Sequence, residues 1–424
     1  MKNNLNTKQR YALVINILFF LIVSLISCKK KNEETVFSPQ LDTQTKCEIE
    51  IAGNYYNFEA LEAEFDRFND FYPNVDLVFT YLDSYKKTIF TSLAGTNPPD
   101  IFMTFPWMLD KSNYNPLFDY AENLSSQNLS SINQKLLYQM SDGSIPMVPV
   151  FCSASGMLVN EDIFKKEGIE IPSNYKQLIT VCQKLKDAGY KSPIMSHNAE
   201  TSIMSSLLYP YFTKEVMENR DAIEKLNALE PAAGEYMRPV LEWLEAFNKY
   251  DFIDKEECSK IKDNYSAVIM RFFEGDVPMM LATSDVVSGT KKRESLSESF
   301  TNNPFKYRFY AVPVMEKGGA VLEVPSIEFS VNKNSKNLEM ANEFMRFLLR
   351  TEELNNIAKV KGLITCSTDY SFDDVYAPIG KSEHLYQLEI GLLDNTYTQL
   401  RWAAYKVFTG KMTVDEAVKN YGKF

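Results

Sequence analysis

Cys152-Ser153-Ala154-Ser155-Gly156 puts a thiol and two hydroxyls within five residues. Nucleophilic chemistry there would need a base to take the proton from sulfur or oxygen. No such base stands nearby in the sequence. The chain has two histidines, His197 and His384, and neither belongs to an HExxH or a Cys/His metal spacing. No Walker A, GxGxxG or GxSxG pattern occurs. A glycosidase needs two carboxylates facing each other across a cleft, and no motif marks such a pair among the 56 acids. The sequence therefore predicts no enzyme, no metal and no cofactor. The small side chains of the patch leave room for backbone to move or a ligand to approach.

The elements around the patch say how it is positioned. A turn, Asp142-Gly143-Ser144, opens an apolar run broken by Pro146 and Pro149. Prolines keep a segment out of a sheet interior, so this run reads as a strand that leaves one sheet and enters another. Met157-Leu158-Val159 then leads to Asn160, which can cap a short helix over 161–167, with Gly168 closing it. Further upstream, Glu48-Ile49-Glu50-Ile51-Ala52 alternates as a strand should. Phe58, Leu61, Phe65 and Phe68 recur at helical spacing after Asn57, and Pro73 ends that helix. Val75, Leu77, Phe79 and Tyr81 predict a second strand; Tyr85, Ile89, Phe90 and Leu93 a second helix; Ile101-Phe102-Met103 a third strand. This βαβαβ order is half of a doubly wound parallel sheet, whose ligands sit at the carboxyl ends of the strands. Asn54-Tyr55-Tyr56, Asp83-Ser84 and Phe105-Pro106-Trp107 then surround one crevice.

Residues 1–27 carry three basic residues and no acid, around an apolar run of 16 residues, 11–26, interrupted by Asn16. A spanning helix needs about 20 apolar residues, so the run reads as a signal-peptide core. It ends in Leu25-Ile26-Ser27-Cys28, which resembles the lipobox of bacterial lipoproteins. The resemblance implies lipidation of Cys28 and a body anchored to the cell membrane, facing the periplasm or the cell exterior. Residues 28–46 are polar and aperiodic after the cysteine, a tether. Beyond residue 27 the chain has 42 basic and 56 acidic residues, net −14. No basic patch interleaved with aromatics appears, which argues against nucleic acid as a partner. The five other cysteines, 47, 152, 182, 258 and 366, are far apart and odd in number, so they read as small buried hydrophobes, with one disulfide left open.

Later segments repeat one theme. Pro172-Ser173-Asn174-Tyr175-Lys176-Gln177-Leu178 opens a helix on Leu178, Val181, Cys182 and Leu185, and 191–270 is helix-rich, with Trp243 in a helix over 239–250. Phe272-Phe273-Glu274-Gly275-Asp276-Val277-Pro278-Met279-Met280, then Ala311-Val312-Pro313-Val314, then Ser326-Ile327-Glu328-Phe329-Ser330-Val331 with a helix over 334–350, follow in order. The tail has Thr409-Gly410-Lys411-Met412-Thr413-Val414-Asp415-Glu416-Ala417. Together with the first-half patterns, these resemble the extracellular solute-binding proteins of ABC importers, in particular the carbohydrate-binding branch that includes maltodextrin-binding protein. The resemblance covers nearly all of 47–424. Where that family commonly has Gly and Trp after the 272–280 motif, this chain has Thr283-Ser284-Asp285.

The resemblance implies a two-lobe α/β fold of type II, each lobe a mainly parallel sheet flanked by helices, with three hinge crossings. It places 47–152 and 280–322 in lobe 1, and 153–279 and 323–424 in lobe 2. It implies a monomer that closes on a mono- or oligosaccharide and delivers it to ABC permease subunits. Sugar sites pair flat aromatic rings with carboxylates, amides and hydroxyls. The candidates are Tyr55, Tyr56 and Trp107 from lobe 1, and Ser153, Ser155, Tyr209 and Tyr211 from the crossover and lobe 2. Ser284, Asp285 and Glu328 lie beside the returning crossings, and Trp402 in a C-terminal helix. An exported carbohydrate-active enzyme and a sensor or adhesin lipoprotein are the alternatives.

Overall fold

The computed structural model describes residues 36–54, 59–109, 115–197, 202–262, 264–368 and 373–424. The chain separates into two units, Met1–Ser38 and Pro39–Phe424. In the first, the described residues 36–38 have no regular structure, and Cys28 lies outside the described residues. The second holds every element below. Among the described residues, no helix is long and apolar enough to cross a membrane.

Among the described residues, ten strands build the second unit: β1 Cys47–Gly53, β2 Val75–Tyr81, β3 Ile101–Thr104, β4 Val148–Asn160, β5 Ile194–Met195, β6 Met279–Thr283, β7 Tyr307–Tyr310, β8 Ala320–Val331, β9 Ile364–Thr365 and β10 Glu383–Tyr386. β1 pairs in parallel with β2 and with β3, the expected βαβαβ unit. Its first helix, Glu59–Phe65, runs on into a 3-10 turn, Asp66–Asp70, and buries Leu61, Phe65 and Phe68. Its second, Tyr85–Leu93, buries Tyr85, Ile89 and Leu93. Phe90, expected on that buried face, is exposed and meets Tyr120 edge-on at 5.8 Å.

β4 is the long strand that organises the unit. Its first half pairs antiparallel with β8, from Val148↔Phe329 to Ala154↔Glu323. Its second half pairs antiparallel with β6 and with β7. The register against β8 shifts between Pro149 and Phe151 and again before Cys152. Proline has no N–H to give a ladder, and a bulge is where a strand tolerates it. Asn160 then accepts the Ile163 amide at 3.2 Å and starts the helix Glu161–Glu167, which Gly168 ends at φ 62°. The helix Tyr175–Asp187 likewise starts on Asn174 and buries Leu178, Val181, Cys182 and Leu185.

The strand pairings group two segments differently from the sequence reading. β6 lies between β5 and the second half of β4. A strand bonded on both edges and buried from Met279 to Ala282 stays in that sheet, so the chain does not return to the first group of strands at 280. The second half of β8, Glu328–Val331, pairs with β3 and lies with the first group. The helix Leu338–Leu348 that follows packs there too: Phe344 meets Phe65 at 5.6 Å and Phe68 at 5.4 Å. β9 then pairs with Phe151 and Cys152 of β4. The segments that run from one group to the other are therefore β4, β8 and the chain around β9. The first group, β2-β1-β3, is parallel, with β8 and β4 antiparallel beside it; the second is mixed, with β5 parallel to β6 and β10 parallel to the first residues of β8.

Candidate functional site

Where β4 passes between the groups, Ser155 stands opposite Thr283, the last residue of β6. The chain turns there into the short helix Ser284–Val287. The Ser284 hydroxyl is fully buried and accepts the Ala154 amide at 3.0 Å, so it fixes the turn. Asp285 is half-buried. Burial pushes its carboxyl up, against hydrogen bonds from the Ser153 and Thr283 hydroxyls. Ser153, Ser155, Ser284 and Asp285 are thus brought together on one β4–β6 floor, with Ser153, Ser155 and Asp285 partly open.

A second group carries aromatic and charged side chains. Trp107 follows β3 in the turn Pro106–Leu109. Its ring stacks on Phe105, centroids 5.6 Å apart and planes 11° off parallel. The Lys86 ammonium lies 4.6 Å from the Trp107 centroid. Lys86 also acts on Asp394, the first residue of the helix Asp394–Phe408, and works against the burial that raises that carboxyl. Gln387 donates to Asp394 at 2.7 Å. On the facing helix Ser202–Val216, the Tyr209 hydroxyl donates to the Tyr397 carbonyl at 3.1 Å, and the two rings are 4.8 Å apart. Burial raises the Tyr209 phenol to about 12, against the nearby positive charge of Arg401. Arg401 lies 5.7 Å from the Trp402 ring, and its buried Nε has no hydrogen-bond partner among the described residues.

This group joins residues from both strand groups: Lys86 and Trp107 from one, Tyr209, Asp394, Arg401 and Trp402 from the other. A cavity of about 550 Å³ adjoins it, lined by Pro106, Leu109 and Tyr138 on one side and by Asn227, Gln387 and Leu393 on the other. Sequence reasoning missed Lys86, Asp394 and Arg401. The available signals were position: Lys86 follows Asp83-Ser84, already placed at a strand end, and Arg401 precedes Trp402.

Tyr211 does not join Tyr209. Two residues on a helix are about 200° apart, so it points to the other face. There it meets Trp243 edge-on at 5.7 Å and, with Tyr175 and Tyr310, lines a separate cavity of about 930 Å³. Glu328 sits within β8, opposite Thr104 of β3 and Pro149 of β4. It is fully buried, neither carboxyl oxygen has a hydrogen-bond partner among the described residues, and burial holds it well above the usual carboxylate range. Tyr55 and Tyr56 lie outside the described residues. No group of three His, Cys, Asp or Glu among the described residues could hold a metal ion.

The chain belongs to the bacterial extracellular solute-binding protein family, whose model matches residues 52–354. Among solved structures it is similar to apo RafE from Streptococcus pneumoniae, 17% identical, covering 92% of this chain and 98% of that one, with a TM-score of 0.67. It is also similar to the binding protein MsmE from Bacillus subtilis in an open conformation, 14% identical, covering 90% and 97%, TM-score 0.67. A sugar transporter from Bacillus licheniformis solved with stachyose is 14% identical over 89% and 98% of the two chains, TM-score 0.62. These likenesses establish the two-lobe type II α/β fold. No curated protein sequence matches the chain.

Proposed function

We propose that this protein is the substrate-binding lipoprotein of an ABC importer and that its solute is a mono- or oligosaccharide held between two lobes. The strand pairings support 47–152 with 327–363 as one lobe, and 153–324 with 366–424 as the other. The observation that carries the reading is the Trp107, Lys86, Asp394, Tyr209, Arg401 and Trp402 group, which draws from both lobes. Rings cover apolar sugar faces, and Arg, Asp and Lys pair with hydroxyls. Only a closed form lets both lobes touch one solute, so binding favours closure. RafE has been solved with raffinose and the B. licheniformis protein with stachyose, which fits a carbohydrate here.

Cys28 is the lipid attachment point, the residues after it a tether, and the body a monomer that works outside the cytoplasm, with no catalysis of its own. Tyr55 and Tyr56, which follow β1 in the sequence, are further candidate ring contacts for the solute. Asp285, Ser153 and Ser155 form its floor. The experiment is a thermal-shift panel of sugars, sugar phosphates, polyols and peptides. A ligand at 100 times its dissociation constant adds about 2.7 kcal/mol of stability. A shift with oligosaccharides supports the reading. A shift with peptides alone, or none with any compound, overturns it.

A further inference from the structure

We propose that Cys152 and Cys366 form a disulfide that ties together two of the segments running between the lobes. Cys152 lies in β4, and Cys366 follows the last residue of β9. They are 214 residues apart in sequence, yet their Sγ atoms are 3.6 Å apart and both side chains are fully buried. Cys152 stands opposite Ile364, so Cys366, two residues on, shares its face of the pleat. A disulfide needs Sγ atoms at about 2.05 Å and Cβ atoms about 3.8 Å apart. Cys366 lies beyond the last paired residue of β9, and its carbonyl accepts the Asn133 amide at 2.9 Å. The other described cysteines lie elsewhere: Cys47 opens β1, Cys182 is within a helix, and Cys258 accepts the Ser196 amide at 3.4 Å.

Burial and the carboxyls of Glu323 and Glu328 push both thiols up in the folded protein. Neither is then a nucleophile once the segments have closed over them. The bond therefore forms during folding, with a disulfide donor of the oxidising compartment outside the cytoplasm. One protein thiolate attacks the donor, giving a mixed disulfide and one donor thiol. The second protein thiolate displaces the other donor thiolate. The two thiol protons and the electron pair leave with two donor thiols, and the protein keeps one S–S bond. The same burial then shields that bond from exchange.

The test is to refold the full chain with oxidised glutathione, unfold it without reductant, alkylate with iodoacetamide and map the peptides. The expected result is a cross-linked peptide pair holding 152 and 366, lighter by two hydrogens, with the other cysteines alkylated. Alkylation of both residues, or a different pairing, overturns the proposal, and this mapping needs no variant. Dithiothreitol should also lower the melting temperature of the wild type but not of Cys366→Ser. An equal fall in both would overturn it as well.

Discussion

The Ser284 hydroxyl accepts the Ala154 amide at 3.0 Å, and so joins the crossing point of β4 to the turn that ends β6. The Ser284 carbonyl takes a further hydrogen bond, from the Tyr376 hydroxyl at 3.3 Å. Both bonds make Ser284 a backbone support at this point. Ser284→Ala should leave the buried Ala154 N–H without a partner, at a cost of about 1–3 kcal/mol. Urea unfolding should show that loss, while affinity for the solute changes little. A large loss of affinity with unchanged stability would mean that Ser284 meets the ligand directly.

Trp107 stacks on Phe105, with the Lys86 ammonium near its ring, and is the proposed ring contact for the solute. Trp107→Ala should weaken binding of the panel's best sugar by about tenfold or more, given about 0.5–1.5 kcal/mol for ring stacking beyond area burial. Trp107→Phe should recover part of it. Tyr211→Ala should leave that affinity unchanged, because Tyr211 faces the other cavity. Isothermal titration calorimetry of the three variants checks the set. Equal losses for Trp107→Ala and Tyr211→Ala would place the solute elsewhere.

Much of the scaffold was readable because its signals are local. Asn160, Asn174, Gly168 and the alternation in β1 and β2 act within a few residues. The place of β6 was not readable: a buried apolar strand looks the same whether it returns to the first sheet or stays in the second, and only its pairing with β4 and β5 decides. Cys366 gave no sign of a crossing for the same reason. Lys86, Asp394 and Arg401 were passed over because a charged residue on a helix resembles an ordinary solvated face. The sequence offers Tyr209 and Tyr211 alike as contacts from a helix-rich stretch; the period of the helix Ser202–Val216 separates them onto different faces.

The proposed lipid anchor at Cys28 makes a separate prediction. Cells expressing the full chain should incorporate labelled palmitate into the wild type, and Cys28→Ala should abolish incorporation. A single acyl chain holds a membrane only marginally, so the multiply acylated wild type should stay with the membrane fraction and the variant should not. Equal membrane retention without label would show that the apolar run over 11–26 is itself the anchor.

Glu328 should give the protein a pH-dependent weakness. Its folded carboxyl titrates well above the ordinary range because it is buried without a hydrogen-bond partner among the described residues. Below about pH 4.3 both folded and unfolded states hold the proton, and the group's cost does not vary with pH. Above that, the unfolded state releases it and the folded state does not, so stability falls with rising pH until the folded value is reached. The slope is at most about 1.4 kcal/mol per pH unit. Glu328→Gln cannot titrate. Any fixed cost of its amide is the same at every pH, and every other titratable group is common to the two proteins. The stability difference between variant and wild type should therefore shift in the variant's favour from pH 5 to pH 7, as read by urea unfolding at several pH values. A constant difference would show that Glu328 is ionised in the fold, with a partner that supports its charge.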